Sequence, residues 1–447
     1  MGCRCLVLAL NFFLAPVLLI IFAVRIYFLP CIGIYMGNLC CWICCKIWFC
    51  SDCVHQDKEF PPNEKSLGPY EADVGEVVWR RGSEFHDEKN ESGHPFLFKD
   101  GIEPADIAQG ALGDCWLLSA FACLAEHPGA IEAVFKNLEY TRTGKYKFRF
   151  WDAIAKKIVT IVIDDNIPCR KSTNRPCFSS PHGDELWVLL LEKAFAKFVG
   201  SYAGLEGGHI AWALEAMTGD KVYKYAVEAD GMWNRLELKH DPTPDNKRKC
   251  SMWTTPGKFD KEHMYNLLKR LNDMGCVLGC GSKGKDETLT EGRDDKKAGI
   301  VPGHAYTIVH VYESFGFKLL KIRNPWGTFE WDGDWSDKSD MWSKHNGVKQ
   351  SVSAFGGGNK DVDDGSFWMS WDDFVKYFDV IDVCVRSAGI YDLRLDSCES
   401  KGFCGPFLGC CSGCLYYWLL CQGPAKMCCT RDGRKDNISD IENPIKT

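Results

Sequence analysis

A basic excess is missing from this 447-residue chain. Lys and Arg number 53 against 60 Asp and Glu, a net charge of −7. That balance argues against nucleic acid as the main partner. Cysteine is sparse through the long middle. Of the 25 cysteines, only Cys115, Cys123, Cys169, Cys177, Cys250, Cys276, Cys280 and Cys384 fall there. That scarcity excludes a disulfide scaffold and fits a reduced intracellular enzyme. An EF-hand is also absent: in NKDVDDG (359–365) the glycine falls one place late and no Glu closes the loop. Residues 1–50 carry little charge: Arg4, Arg25 and Lys46. From Leu6 to Val24 the only polar residue is Asn11, a run long enough to span a bilayer, which Pro16 kinks without forbidding. After Arg25, residues 26–50 are again apolar apart from Asn38 and Lys46. One span with an interfacial flank and a two-span hairpin both fit. No small-x-small site follows the apolar run, which argues against a cleaved signal peptide.

What the chain does contain centres on residues 109–121, QGALGDCWLLSAF. Gly110 and Gly113 permit a tight approach. Asp114 is placed as an N-cap, and Cys115 stands in the first turn of an apolar helix running on to Leu124. Unpaired N–H groups and partial positive charge at a helix N-terminus favour a thiolate, so this is a place for a nucleophile. Downstream, PGHAYTIVHVY (302–312) reads as a loop and a strand with His304 at its mouth. Tyr306, Ile308 and His310 share the parity of His304. LKIRNPWG (320–327) reads as a second strand ending at Asn324, where Pro325 stops the ladder. In that arrangement His304 takes the thiol proton and returns it to a leaving amine, while Asn324 fixes the ring. Gln109 and the Cys115 backbone N–H are candidate oxyanion donors, and Trp326 a shield over the His–Asn bond.

These three stretches, QGxLGDCW, GHAY and RNPWG, resemble the catalytic core of the calpain family of cysteine proteases, part of the papain-like group. The similarity extends from about Phe60 to about Ser387. The resemblance implies an α+β, two-lobed papain-like protease core. Residues 59–206 would form the lobe bearing the nucleophile helix, and 207–387 the lobe bearing His304 and Asn324. It also implies regulatory Ca²⁺, held in the first lobe by the carbonyls of Lys99 and Gly101 with Asp106 and Glu192. In the second lobe Glu330, Asp337 and Asp364 would do the same, where Ser366 replaces an acidic residue of the family. Such ions would bring the two lobes into register and do no chemistry themselves.

Outside the core stand two greasy ends: the hydrophobic, Cys-rich membrane segment 1–58 and the Cys-rich tail 388–447. Cys3, Cys5 and the cysteines of 40–45 are placed where membrane-edge acylation (palmitate) occurs, and the tail cysteines interleave with Leu, Tyr and Trp in the same way. The CxxC pairs Cys50/Cys53 and Cys411/Cys414 leave zinc as an alternative. The expectation is a membrane-tethered, calcium-dependent cysteine endopeptidase with its core facing the cytoplasm and protein substrates. The alternative is a catalytically silent, membrane-associated binding module.

Overall fold

A computed structural model describes residues 54–385, apart from 71–73, 86–93, 100, 111, 181–182, 243–247, 285–298, 327–329 and 354–364. The apolar run 6–24, its cysteine-rich flank and the tail 388–447 lie outside the described residues. Among the described residues no helix is long and apolar enough to cross a membrane. The chain divides into Met1–Gln56 and Asp57–Thr447. Among the described residues every helix and strand belongs to the second unit.

Its first half is built from short ladders around helices. Strand β1 (Val77–Arg81) pairs with β5 (Asn166–Arg170), and β2 (Ala108–Gln109) with β6 (Ser179–Ser180). A hairpin forms as β3 (Lys145–Asp152) against β4 (Lys157–Asp164), with Tyr146, Phe148 and Phe150 on its buried face. Helix α1 (Cys115–Ala125) has ten buried residues, Cys115 to Leu124, and a helix apolar all round belongs inside a core rather than on a surface. Helix α2 (Trp187–Val199) is buried except at Lys197 and stops at Gly200, whose φ of 115° only glycine adopts readily. Helix α3 (Ile210–Thr218) completes this core with Ala211, Ala213, Leu214 and Met217.

The second half is an eight-stranded antiparallel sheet in the order β13-β12-β11-β10-β14-β7-β8-β9. Its strands are β7 (Lys221–Val227), β8 (Trp233–Pro242), β9 (Arg248–Phe259), β10 (Val277–Ser282), β11 (Ala305–Ser314), β12 (Phe317–Arg323), β13 (Ser366–Ser370) and β14 (Phe378–Val385). Helix α4 (Lys261–Asp273) covers one face with Met264, Leu267, Leu268 and Leu271, its N-terminus capped by the Asp260 carboxylate. A shorter helix, α5 (Trp371–Tyr377), adds Trp371 and Phe374 to that core. The other face of β10 and β11 takes α1.

One expectation changes here. The alternation read through 302–312 holds only to Ile308. A bulge between Ile308 and His310 shifts the register, and Ala305 to Ile308 are all buried because the strand is covered on both faces. The stretch 221–260, whose pattern in sequence is weak, is the β7–β8–β9 meander. It runs to the sheet edge, where Trp253 is 56% exposed and apolar residues need not alternate cleanly.

A buried ionic network ties the start of this unit to α2. Lys193 and Asp164 are fully buried and pair at 2.5 Å, and Lys193 Nζ also donates to the Asn166 carbonyl. Asp164 accepts from the Asp57 and Asn166 amides, and Lys197 reaches Asp57 at 2.7 Å. Removing one partner strands a desolvated charge. Lys193→Met is therefore expected to cost about 3–5 kcal/mol, read as a lower urea midpoint, and a loss under about 1 kcal/mol would contradict it.

Candidate active site

Helix α1 begins at Cys115, whose side chain is buried, and Asp114 holds the N-cap position. Asp114 does not cap with its side chain. Its carboxyl is fully buried against Glu192 of α2, and burial pushes it up to about 7. Glu192 is driven further upward by burial and then by Asp114, with Ser179 hydrogen-bonding to it. Two carboxyls that face each other in a dry core cannot both ionise, so the pair keeps a proton. Ser179 lies opposite Gln109 in the β2–β6 ladder. The Glu192 carboxyl thus links the nucleophile turn to β6, the strand paired with the one that carries Gln109. Of Gln109 the structure describes the backbone.

Close packing fixes the turn. A Cβ on Gly110 would come within 1.7 Å of the Phe178 carbonyl oxygen, so β2 can approach β6 only through glycine. Gly113 has open space beside it, and its carbonyl accepts from Gly207 N at 3.0 Å. Trp116 stacks on Trp212 at 5.4 Å and donates to the Leu205 carbonyl, while Gly208 lies flat against its indole.

His304 sits at the entrance of β11, after Gly303 at φ 61°. Its Nε2 and Asn324 Oδ1 are 3.1 Å apart, with both residues buried. The carbonyl of Asn324 also accepts from Trp326 N at 3.0 Å, which fixes the amide with its oxygen toward the imidazole. The Trp326 ring lies 4.4 Å from the His304 ring and Tyr306 meets it edge-on at 5.0 Å. Burial, with the Cys280 and Cys115 charges adding, pushes the Tyr306 phenol up, and its hydroxyl accepts from Val301 N. Asn324 N donates to the Gly365 carbonyl at 2.8 Å.

Ser282, at the end of β10, was not singled out by sequence. Its hydroxyl accepts from His304 N at 2.9 Å and donates to the Val301 carbonyl at 2.6 Å, while its amide donates to the His304 carbonyl. It clamps the histidine backbone on both sides. A serine closing a strand carries no signal by itself.

The expected cation ligands separate into groups. Asp106 is buried in a 3-10 turn, Pro104–Asp106, and its carboxylate accepts from Glu103 N at 2.8 Å. Gly101 has φ 108°. The Lys99 amide donates to Glu185, whose carboxyl is pushed up to about 7 by burial and by the nearby Asp106 and Asp184 charges. Glu192, expected at this site, faces Asp114 beneath the nucleophile instead. The carboxylate that stands with Lys99 and Asp106 is Glu185, two residues before α2. Sequence spacing along an apolar helix could not tell the two glutamates apart, because Glu192 is an interior charge and looks like a solvated one. In the second half, Glu330 accepts from Gly365 N at 2.8 Å. Asp337 is half-buried, Ser366 opens β13 opposite Arg323, and Asp364 lies outside the described residues. Among the described residues no group of three or more His, Cys, Asp or Glu side chains is close enough to hold a metal, so a cation here would need backbone carbonyls as well.

A sequence family described as "Calpain family cysteine protease" matches residues 55–385. The chain is similar to the calpain-type cysteine protease ADL1 of Oryza sativa subsp. japonica, 37% identical over 336 residues, and to the calpain-type cysteine protease DEK1 of Arabidopsis thaliana, 36% over 344. Each alignment covers 73% of this chain and 14% of the relative. Calpain-5 of Caenorhabditis elegans is 33% identical over 354 residues, 73% of this chain and 49% of that protein. The chain therefore spans about half or less of the length of these relatives.

The Asp114–Glu192 pair makes stability depend on pH with a definite sign. The folded state keeps a proton that the unfolded state releases, from the ordinary Asp value of 3.8 up to about 7 at Asp114. Its stabilising contribution is complete below the lower value and is lost as pH rises through the upper one. Glu192→Gln supplies an amide donor to an ionised Asp114, so the decline between pH 4.5 and 7.5 should be shallower than in the wild-type chain. Urea midpoints at the two pH values test this, and parallel declines would contradict it.

Proposed function

The chain belongs to the calpain family of cysteine proteases, and on that premise we propose that it is a calcium-responsive cysteine endopeptidase making limited cuts in intracellular proteins from a membrane tether. The observation that carries the peptidase part is the buried His304–Asn324 pair at 3.1 Å under Trp326, at the strand mouth facing the helix that begins with Cys115. With Nε2–H donated to Asn324, the other ring nitrogen, Nδ1, is the base for the thiol. Cys115 attacks the scissile carbonyl, and its proton passes to Nδ1. The imidazolium then protonates the leaving amine, and water with His304 as base releases the acid. The Cys115 backbone N–H at the helix N-terminus and the Gln109 amide are the oxyanion donors in this reading. Trp326 keeps water from the His–Asn bond, and Ser282 holds the histidine backbone.

Two lobes, 59–206 and 207–387, would carry the two halves of this site. In the first, the Lys99 and Gly101 carbonyls with Asp106 and Glu185 form the oxygen-only donor set. The fit is supported by the repulsion between neighbouring buried carboxyls, which a hard divalent cation relieves. Calcium bound there supplies positive charge that draws separate segments together and takes no part in bond making. In the second, Glu330, Asp337 and Asp364 are the candidates, with Ser366 in place of an acid. The membrane part rests on the apolar run 6–24 and the cysteines around it and in the tail.

An epoxide or vinyl-sulfone probe should label Cys115 in the presence of calcium and should not label Cys115→Ser. Peptide hydrolysis should fall by about 10⁴-fold in Cys115→Ser and on the order of 10²-fold in Asn324→Ala. A chain that never labels with calcium present is a binding module instead. Glu185→Gln should raise the calcium concentration for half-maximal activity, whereas Glu192→Gln should leave it near the wild-type value. Full activity in chelator would remove the calcium part of the reading.

A further inference from the structure

Cys115, Ser119, Cys123 and Glu126 follow one another along α1 at intervals of four, four and three residues, which puts them on a single stripe. The last three each meet the sheet that carries His304. Ser119 Oγ donates to the Ala305 carbonyl at 3.0 Å. Cys123 Sγ donates to the Leu278 carbonyl at 3.4 Å and lies 3.3 Å from the Thr307 hydroxyl. Glu126 and Arg323 pair at 3.4 Å across the end of the helix. Their partners run along the first residues of β11, the facing stretch of β10 and the last residue of β12.

The polar members of this stripe are costly where they stand. Ser119 and Cys123 are buried in a helix whose other residues are apolar, and a buried hydroxyl without a partner is penalised. A helical serine ordinarily bonds back to its own chain, yet Ser119 reaches across to β11. Burial pushes the Cys123 thiol up to about 12, so it remains a neutral donor and no second nucleophile. Ala305 follows His304 directly, and Ser119 stands one turn from Cys115, about 6 Å along the helix axis.

We propose that Ser119 is a positioning residue, the first of a seam of cross-contacts (Ser119–Ala305, Cys123–Thr307, Glu126–Arg323) that sets how closely the Cys115 sulfur approaches the His304 ring. This rests on the Cys–His peptidase reading. A misplacement of about 1 Å can cost about 10²-fold in rate, and losing the first contact of the seam loosens the helix by a fraction of that.

Ser119→Ala in the full chain should lower kcat about tenfold with KM within twofold of wild type. It should also move the pH dependence of Cys115 alkylation by iodoacetamide upward, toward the about 8.5 of an ordinary thiol, because the sulfur is no longer paired with the imidazolium. Thr307→Val should act in the same direction by about threefold and decides the matter if Ser119→Ala fails to fold by circular dichroism. Ser119→Cys, which keeps a donor, should recover part of kcat. If the wild-type chain hydrolyses peptide in a Cys115-dependent way but both removal variants keep its kcat and alkylation profile, the seam has no positioning role and the peptidase reading survives. If the wild-type chain shows no Cys115-dependent hydrolysis, the peptidase reading falls and the positioning role with it.

Discussion

The burial of α1 is the constraint on which the rest of the architecture depends. A helix with ten of its eleven residues buried needs apolar partners on every side. Helices α2 and α3 supply one side, and the face of β10 and β11 the other. The helix is thus shared by both halves of the unit, as is α3, which packs on β3 and on β7 and β14. Any chemistry built on Cys115 inherits its geometry from that packing, because the sulfur is carried by the helix and the imidazole by the strand beneath it.

Electrostatics around the helix divide into two kinds. Under its N-terminus lie Asp114 and Glu192, an acid pair that keeps a proton and so adds little negative charge beside the sulfur. Far from the sulfur, Asp164 and Lys193 form an ion pair in equally dry surroundings. In the first, burial pushes both carboxyls up, whereas in the second the Lys193 ammonium holds Asp164 below the usual carboxylate range. Burial is the same in both, and the sign of the neighbour decides the outcome.

Much of the site was legible in the sequence because its parts are local. The turn into α1, the loop before β11 and the Asn324–Pro325–Trp326 corner are each set by residues a few positions apart: glycine for close approach, proline to stop a ladder, asparagine to fold back on its own chain. The α1 boundaries fall within a residue of the apolar pattern that predicts them. What was hidden depends on distant pairings. Glu192 and Glu185 are seven residues apart, and only the fold says which one meets Asp106. Ser282 matters because β10 ends beside the histidine loop, and the bulge after Ile308 reflects a strand covered on both faces. The β7–β8–β9 meander is hard to read in sequence since strands near a sheet edge, with one side open to water, carry too weak an alternation.

The aromatic surroundings of His304 have a mechanical consequence. One side of the imidazole rests against the indole of Trp326 and another meets the edge of Tyr306, itself wedged against Phe378 and anchored through its hydroxyl. Rotation about χ2 would have to push an indole aside and break the bond to Asn324. The amide oxygen at Nε2 takes no proton, so a proton gained on the other nitrogen leaves from that same nitrogen, and the ring works as a one-ended shuttle whose orientation was chosen when the chain folded.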